Sequence, residues 1–431
     1  MHAYAKRYVS WEIHDMILSL KKLVPAPVVF LYHLALVFLA ALYFEFPSRR
    51  ITVVGVTGTK GKSSTIEFAN AAFEAAGRNT ALMSTIRTKV GMESTRNTKR
   101  MTMPGRFAVQ HFLKKALDAG CDVAFIEMTS EGARQHRHRF IDLNALIFTN
   151  LAPEHIESHG SYEAYAAAKF EIGRALVRSH KRPRIIIANA DDKEAHRYLL
   201  LSVEHAIPSS LSAFGAHADE DEMGGSFKWD ETKIRIHLPG EFSLQNAILA
   251  ALLARAFDIR AEFIRAGFDA LKKIPGRAER VEEGQPFLVI VDYAHTPDSL
   301  SAIYKTYASR KKICVLGATG GGRDTWKRPV MGSIADAACE HVILTNEDSY
   351  DEKPEDIVTS IAAGMKRVPE VIVDRHKAIA RALSLAKPGY AVLITGKGTD
   401  PSIEGPRGTH IPWSDAEVVR EELHKLLQKS I

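Results

Sequence analysis

The stretch ITVVGVTGTKGKSST, residues 51–65, limits what this chain can fold into more than any other. Ile51 to Val56 supply a β-branched run suited to a buried strand, and Gly58 and Gly61 follow before a helix-forming segment. Glycines at these positions let the backbone turn so that its N–H groups converge on phosphate oxygens at a helix N-terminus. Lys62 is then placed to reach β- and γ-phosphates, and the Ser63 hydroxyl to ligate Mg²⁺. Thr59, Lys60 and Ser64 complete the predicted cradle. The spacing is GxxGKS; a general eight-residue P-loop would need glycine where Val56 stands.

Beyond this turn, strand and helix patterns alternate, the rhythm of a parallel sheet covered by helices on both faces. Asp122 to Met128, Leu143 to Asn150 and Arg184 to Asn189 read as buried strands, and Arg106 to Ala119 as an amphipathic helix. Residues 202–240 alternate more and carry turn formers, which predicts a small antiparallel excursion. After Pro275 and Gly276 the rhythm restarts, with PFLVIVDYAH, KKICVLGAT, HVILTNED and YAVLITGKG each resembling a strand that ends in polar residues. A chain of 431 residues exceeds a single core, since cores stop growing near roughly 250–300 residues. The expected fold is therefore α/β: a P-loop central domain with a mainly parallel sheet over residues 50–274, then a Rossmann-like α/β domain over residues 275–431. A short helical segment, residues 1–49, precedes them.

Composition narrows the function classes. The 57 basic and 51 acidic residues leave a net charge of +6 with no concentrated basic run, which argues against nucleic acid as a partner. Cys121, Cys314 and Cys339 are odd in number and form no CxxC pair, fitting a reduced cytosolic protein better than a disulfide or zinc framework. No cleavable signal peptide is evident, so a cytoplasmic location is expected. Val28 to Phe44 is apolar apart from His33, with Lys21 and Lys22 before it and Arg49 and Arg50 after. Its 17 residues sit at the short limit for spanning a bilayer, and its alanines suit a packed helix, the preferred reading over membrane association.

Several predicted strand ends carry chemistry. The Glu127 carboxylate, in EMTSEG, is placed to complete the coordination of a Mg²⁺ held by Ser63. Taken by itself it also fits a solvated strand end. In TNLAPEHIESHGSYEAYAAAK, His155, His159 and Lys169 come close together in sequence. The HxxxH spacing lacks a metalloprotease glutamate and has no thiol beside it, so a hard cation with oxygen ligands suits it better than zinc.

Ten ordered motifs give the chain a resemblance to the Mur ligases, closest to the MurE type. They are GVTGTKGKSST at 55–65, TMPG at 102–105, EMTS at 127–130, TNLAPEHIESHG with YAAAK, ANADD at 188–192, GEFSLQNAILAA at 240–251, PGRAE at 275–279, DYAHTPDSL at 292–300, GATGGGRDTWKRPVMG at 317–332 and GKG at 396–398. The resemblance implies an ATP-dependent ligase that adds an amino acid to a UDP-N-acetylmuramoyl-peptide carboxylate through an acyl phosphate, in peptidoglycan precursor synthesis. Carried over residue by residue, it implies that Lys62 and Ser63 hold ATP and a first Mg²⁺, with Glu127 as a ligand of that ion. His155 and Lys169, the latter as a carbamate, would serve a second Mg²⁺. Asn246 would lie near the adenine, Asp292 and His295 would approach the nucleotide from the C-terminal domain, and Arg277 belongs to the hinge motif. Thr102, Ser130, Arg323, Asp324, Lys327, Lys397 and Asp400 fall in motifs that face the substrates.

Three departures from the family stand out. About 50 residues precede the P-loop where the family carries a whole domain for the UDP-sugar. The DNPR motif, whose arginine contacts diaminopimelate, reads Glu347, Asp348, Ser349 and Tyr350, and GKGHE becomes GKGTD. The alternatives are a ligase of the folylpolyglutamate, poly-γ-glutamate or cyanophycin synthetase kind, or a non-catalytic ATP-binding scaffold. A scaffold needs none of the charges at Lys62, Glu127, His155 and Lys169. A monomer is expected.

Overall fold

Hydrophobic periodicity becomes two sheets in the computed structural model, which describes residues 25–99 and 101–428. About half of the predicted N-terminal segment, residues 1–24 with Lys21 and Lys22, lies outside the described residues. The first sheet has the order β4-β3-β2-β5-β1-β6-β7-β8. Its strands are β1 (Thr52–Thr57), β2 (Thr80–Met83), β3 (Arg87–Val90), β4 (Glu93–Arg96), β5 (Val123–Glu127), β6 (Ala145–Phe148), β7 (Ile185–Asn189) and β8 (His205–Ser209). β1 lies between β5 and β6, parallel to both, with Val54 opposite Phe125 on one side and Ala145 on the other. Only the β2–β3 and β3–β4 pairings are antiparallel, at one edge, so β3 alone runs against the other strands.

Both faces of this sheet are covered, which explains strands that read as continuous apolar runs. Val54, Val56 and Phe125 face a core built with helices Lys62–Ala75, Glu241–Ala256 and Ala261–Ala270, joined by Phe227 and Trp229 of a small antiparallel sheet. Val53, Ala124 and Ile126 face the opposite core, where helices Arg106–Asp118 and Tyr162–Arg178 contribute Leu113, Tyr165 and Leu176. In chain order, Ala26–Tyr43 is α1, Lys62–Ala75 α2, Arg106–Asp118 α3, Tyr162–Arg178 α4 and Glu241–Ala256 α5. α1 packs Val37, Ala40 and Ala41 inward, against α3. No helix among the described residues is long and apolar enough to cross a membrane.

The second sheet contains Leu288–Asp292, Ala391–Thr395, Lys312–Leu316 and His341–Leu344 as adjacent parallel strands. Alternate residues feed separate cores: Ile290, Leu316 and Leu393 toward Leu300 and Met331, and Val291, Val315 and Ile394 toward Ile379 and Val419. The cysteine reading needs correction here. Cys314 and Cys339 form a disulfide with a Cα–Cα separation of 6.1 Å, and Cys121 stays free and buried. A central strand and the end of helix Lys327–Ala338 converge in the packed domain, a proximity that a 25-residue separation in sequence does not reveal.

Candidate active site

β1 delivers the chain into the turn Gly58–Gly61, and α2 starts at Lys62. Gly58 and Gly61 have φ of +142° and +83°, and a Cβ on Gly61 would fall 2.3 Å from Asn246 Oδ1. On Gly58 it would meet the Thr149 hydroxyl at 2.0 Å, so the turn closes onto the end of β6 on one side and onto α5 on the other. Asn150 fastens it further: its carbonyl accepts from Thr59 N–H at 2.8 Å and its side-chain oxygen from Lys60 N–H at 2.9 Å. The backbone is thus held as a concave set of N–H groups at a helix N-terminus, a geometry suited to phosphate.

Three groups meet at the first turn of α2. Ser63 Oγ donates to Glu127 Oε2 at 2.7 Å, and Lys62 Nζ lies 3.7 Å from Glu127 Oε1 and donates to the Thr59 carbonyl at 2.9 Å. Glu127 is the last residue of β5, and both of its oxygens also accept from the Thr85 hydroxyl, at 3.1 and 3.2 Å. Thr85 in turn contacts the Thr102 hydroxyl at 2.8 Å, which links the TMPG segment to this carboxylate.

Lys169, on α4, is buried and donates to the Gly58 carbonyl at 2.7 Å. Burial, and then the positive charge of Lys62, hold its amine well below the ordinary lysine range. Its Nζ also lies 5.0 Å from the Tyr165 ring, and the His155 ring flanks the same tyrosine at 6.3 Å. Burial lowers the His155 pKa. His159 packs against the same ring, its centroid 5.2 Å from that of Tyr165, and its Nε2 lies 3.2 Å from Ser130 Oγ.

The second domain closes over the turn. Glu154 Oε1 is 2.9 Å from both Lys60 Nζ and His295 Nε2, while His295 and Lys60 are 3.0 Å apart. Burial alone would raise the Glu154 pKa, but Lys60 and His295 outweigh it and hold the carboxyl well below the usual range. Burial and the Lys60 charge press His295 down to about 4, leaving it neutral near pH 7. Asp324 accepts from the backbone N–H groups of His155 and Ile156 at 3.0 and 3.1 Å. Asp292 is buried, accepts from Ala278 and Ala294 N–H, and has its pKa raised by burial. A cavity of about 610 Å³ lies between the domains, lined among others by Gly61, Ser64, Asn246, Arg277 and Asp292.

The remaining predicted residues divide into two sets. Lys397 is fully buried, 2.8 Å from Asp348 Oδ1 and 3.1 Å from Asp400 Oδ2, so Asp400 already has a cationic partner. Arg323 is exposed and stands over the Tyr350 ring at 4.9 Å. Lys327 is buried, and so is its neighbour Arg328, which forms a two-pronged pair with Glu352 at 2.6 and 2.8 Å. Thr85, Asn150, Tyr165 and Glu154 join the site without having been singled out as site residues. Thr85 and Asn150 follow the carboxyl ends of strands, the rule that pointed to Glu127, whereas the Tyr165–Thr59 contact at 3.0 Å is purely tertiary.

The Mur ligase middle domain profile matches residues 56–254, and the Mur ligase glutamate ligase domain profile matches residues 276–398. A UDP-N-acetylmuramyl-tripeptide synthetase of Roseiflexus sp. (strain RS-1) is 37% identical over 421 residues, covering 91% of this chain and 82% of the relative. A UDP-N-acetylmuramoyl-L-alanyl-D-glutamate--2,6-diaminopimelate ligase of Syntrophomonas wolfei subsp. wolfei is 34% identical, covering 84% and 76%. Among solved structures, a UDP-N-acetylmuramoyl-L-alanyl-D-glutamate--2,6-diaminopimelate ligase superposes with a TM-score of 0.58 at 26% identity, over 88% of this chain and 79% of that one. A folylpolyglutamate synthase of Mycobacterium tuberculosis complexed with ADP shares the fold, with a TM-score of 0.68 at 19% identity, over 84% and 92%. With both halves of the sequence matched, the chain belongs to the Mur ligase family of ATP-dependent, amide-forming ligases.

Proposed function

We propose that this chain joins an amino acid to the terminal carboxylate of a UDP-N-acetylmuramoyl-peptide, using ATP to form an acyl phosphate, in the cytoplasm and for peptidoglycan precursor synthesis. The observation that carries this reading is the buried Lys169 amine at the Gly58 carbonyl, on the same turn as the Ser63–Glu127 pair. The central domain, residues 50–274, supplies the nucleotide turn. The C-terminal domain, residues 275–431, closes on it at the Pro275–Arg277 hinge.

Ser63 and Glu127 are hard oxygen donors 2.7 Å apart and fit Mg²⁺. Lys169 fits a carbamate for an electrostatic reason. A buried ammonium near Lys62 is disfavoured, which shifts the balance toward the neutral amine. A neutral amine attacks CO₂, forming an N–C bond and losing one N–H proton to water. The resulting anion would replace a repelled cation and, with His155, offer a second Mg²⁺ site. When bound, Mg²⁺ supplies charge neutralisation where phosphate and carboxylate oxygens converge.

The chain's own groups would then divide the work. Lys62 steadies the γ-phosphoryl as it passes to the acceptor carboxylate. Thr102 and Ser130 border the acceptor side. Asn246 and Asp292 line the nucleotide side, and Arg277, whose guanidinium stands 4.5 Å over the Tyr293 ring, lines the same cavity. Glu154, Lys60 and His295 tie the two lobes together so that water is kept from the acyl phosphate. Arg323, Asp324, Lys327, Lys397 and Asp400 surround the entry of the amino acid. Tyr350, standing where the DNPR arginine would be, directs the chain toward an amino acid other than diaminopimelate.

The test is phosphate release with UDP-N-acetylmuramoyl-dipeptide and each common amino acid, plus diaminopimelate. One amino acid should give phosphate and amide in equal amounts. Lys169→Ala should lose at least about a hundredfold in kcat, partly restored by formate or acetate, in line with losses seen when a charged catalytic group is removed. An unchanged rate in that variant refutes the carbamate, and no turnover with any combination refutes the acceptor.

A further inference from the structure

α1 is apolar on two faces, and only one of them is used. Its inner face packs on α3, while exposed positions recur at 28, 31, 35, 39 and 42, the three-and-four spacing of a single helical stripe. Every residue on that stripe is apolar: Val28, Leu31, Ala35, Leu39 and Leu42. Tyr32, Phe38 and Tyr43 flank it and are 43–75% exposed. The patch continues onto the rest of the protein, because Phe38 contacts Phe140 and Phe44 contacts Phe107, both themselves partly exposed. A lone exposed leucine needs no explanation; a contiguous stripe along 18 residues does.

Cations surround it. Among residues 25–50, Arg49 and Arg50 stand against one acidic residue, Glu45, and Arg49 keeps a side chain half exposed while it lies 3.4 Å from Asp142. Arg106, at the start of α3, contacts His33 of α1, and Arg139 adjoins Phe140. Arg106 Nε and Arg139 Nε are buried without a hydrogen-bond acceptor. We propose that α1 lies in the plane of an anionic phospholipid bilayer, its exposed stripe entering the headgroup–acyl boundary and its flanking cations meeting lipid phosphates. This goes beyond the ligase reading and does not depend on it.

Two observations favour a bilayer over a second copy of the chain. A two-fold contact through the stripe would set the cations of both copies against each other. The stripe, roughly 27 Å by 10 Å for a helix of this length, also offers far less than the roughly 800 Å² per partner of a stable protein interface. A shallow interfacial helix needs no more than one apolar face with basic flanks. The geometry also orients the molecule: Arg106 directly follows the TMPG segment, so docking would turn the acceptor side of the cleft toward the lipid.

The experiment is vesicle flotation of the full chain with phosphatidylcholine alone and with equal phosphatidylglycerol, at low salt and at high salt. Size-exclusion light scattering accompanies it. The chain should float with the anionic vesicles at least about tenfold better than with the neutral ones, and high salt should weaken this, because stripe and cations act together. Leu31→Ser/Leu39→Ser/Leu42→Ser, which leaves the packed face untouched, should lower flotation about tenfold or more while the melting temperature is retained. Leu200→Ser, at an exposed leucine elsewhere, should not. The proposal is overturned if the chain floats with neither vesicle or if the triple variant floats as well as the parent. It is equally overturned if light scattering shows a dimer that the triple variant dissolves, or if flotation appears only once residues 1–24 are removed.

Discussion

At Gly61 the turn into α2 leaves no room for a side chain. The residue combines φ of +83° with a neighbour, Asn246 Oδ1, that a Cβ would approach to 2.3 Å. Gly61→Ala should therefore abolish the thermal stabilisation produced by ADP and lower stability by about 1–3 kcal/mol, the usual range for a forced left-handed residue. Gly77→Ala is the matched control, since Gly77 has φ of +76° with nothing within 4 Å. It should destabilise yet keep the ADP response, as differential scanning fluorimetry would read. His138 makes a different prediction. Burial, then the charge of Arg139, press its pKa down to about 3, and neither ring nitrogen has a partner. The folded ring resists protonation while the unfolded ring takes a proton near pH 6.5, so the unfolded state binds more protons between those values. This contribution to stability is complete above pH 6.5 and lost as pH falls toward 3. Between pH 7 and pH 5 the loss should be about 2 kcal/mol, and His138→Leu should flatten the slope in urea titrations at the two pH values. An equal slope in both proteins would sink the assignment. Residues of this kind mark the limit of sequence reading: the meeting of Lys62, Ser63 and Glu127 was legible because glycine spacing and strand ends are local signals. The isolation of His138 and the Tyr165–Thr59 contact depend on what packs against them.

Elements were legible where a repeat of two or 3.6 residues runs unbroken. The apolar runs around Val123, Ala145 and Ile185 became parallel strands within one to two residues of the expected limits, because strands buried on both faces admit little else. Helix Arg106–Asp118 came equally close to its expected end at Ala119. α1 was half legible: its alanines Ala40 and Ala41 face the protein as a packed helix requires, but no sequence pattern says that the opposite stripe has nothing over it. The Cys314–Cys339 bond was not legible at all, since strand and helix end meet only through the sheet's crossover connections. It yields a direct check. Denatured without reductant, the chain should present one reactive thiol, Cys121, and three after reduction. Replacing both partners with alanine should lower stability by about 2–4 kcal/mol in the oxidised protein, as expected for closing a loop of this size. Three reactive thiols before reduction, in protein kept under air, would show that the pair does not form.

For the molecule as a whole, the two sheets matter less than the seam between them. Lys60, Glu154, His155 and Ile156 belong to the central domain, and His295 and Asp324 to the C-terminal one, yet Lys60 and Glu154 meet His295, and His155 and Ile156 N–H meet Asp324, within 3.1 Å across the cleft. Arg96 adds a further bridge, donating to the Thr399 carbonyl at 3.0 Å. These contacts are directional hydrogen bonds with a charged side chain on one side, so they hold the lobes in one relative position rather than merely pressing apolar surfaces together. Asp324 carries the strongest inference, because its carboxylate fixes the loop in which His155 takes a left-handed φ of +58°. Asp324→Ala should free that loop and loosen closure without touching either core. Expected outcomes are a kcat lowered about ten- to a hundredfold, the scale of misplaced catalytic groups, a melting temperature within about 2 °C of the parent, and a larger radius of gyration by solution scattering with ADP present. Asp324→Asn, which keeps one acceptor oxygen, should fall between the two in both rate and radius. If the alanine variant scatters like the parent and still loses its rate, Asp324 acts on the substrate and not on the seam. If neither changes, closure depends on Glu154 and His295 alone, and the same pair of measurements on His295→Ala would then carry the whole effect.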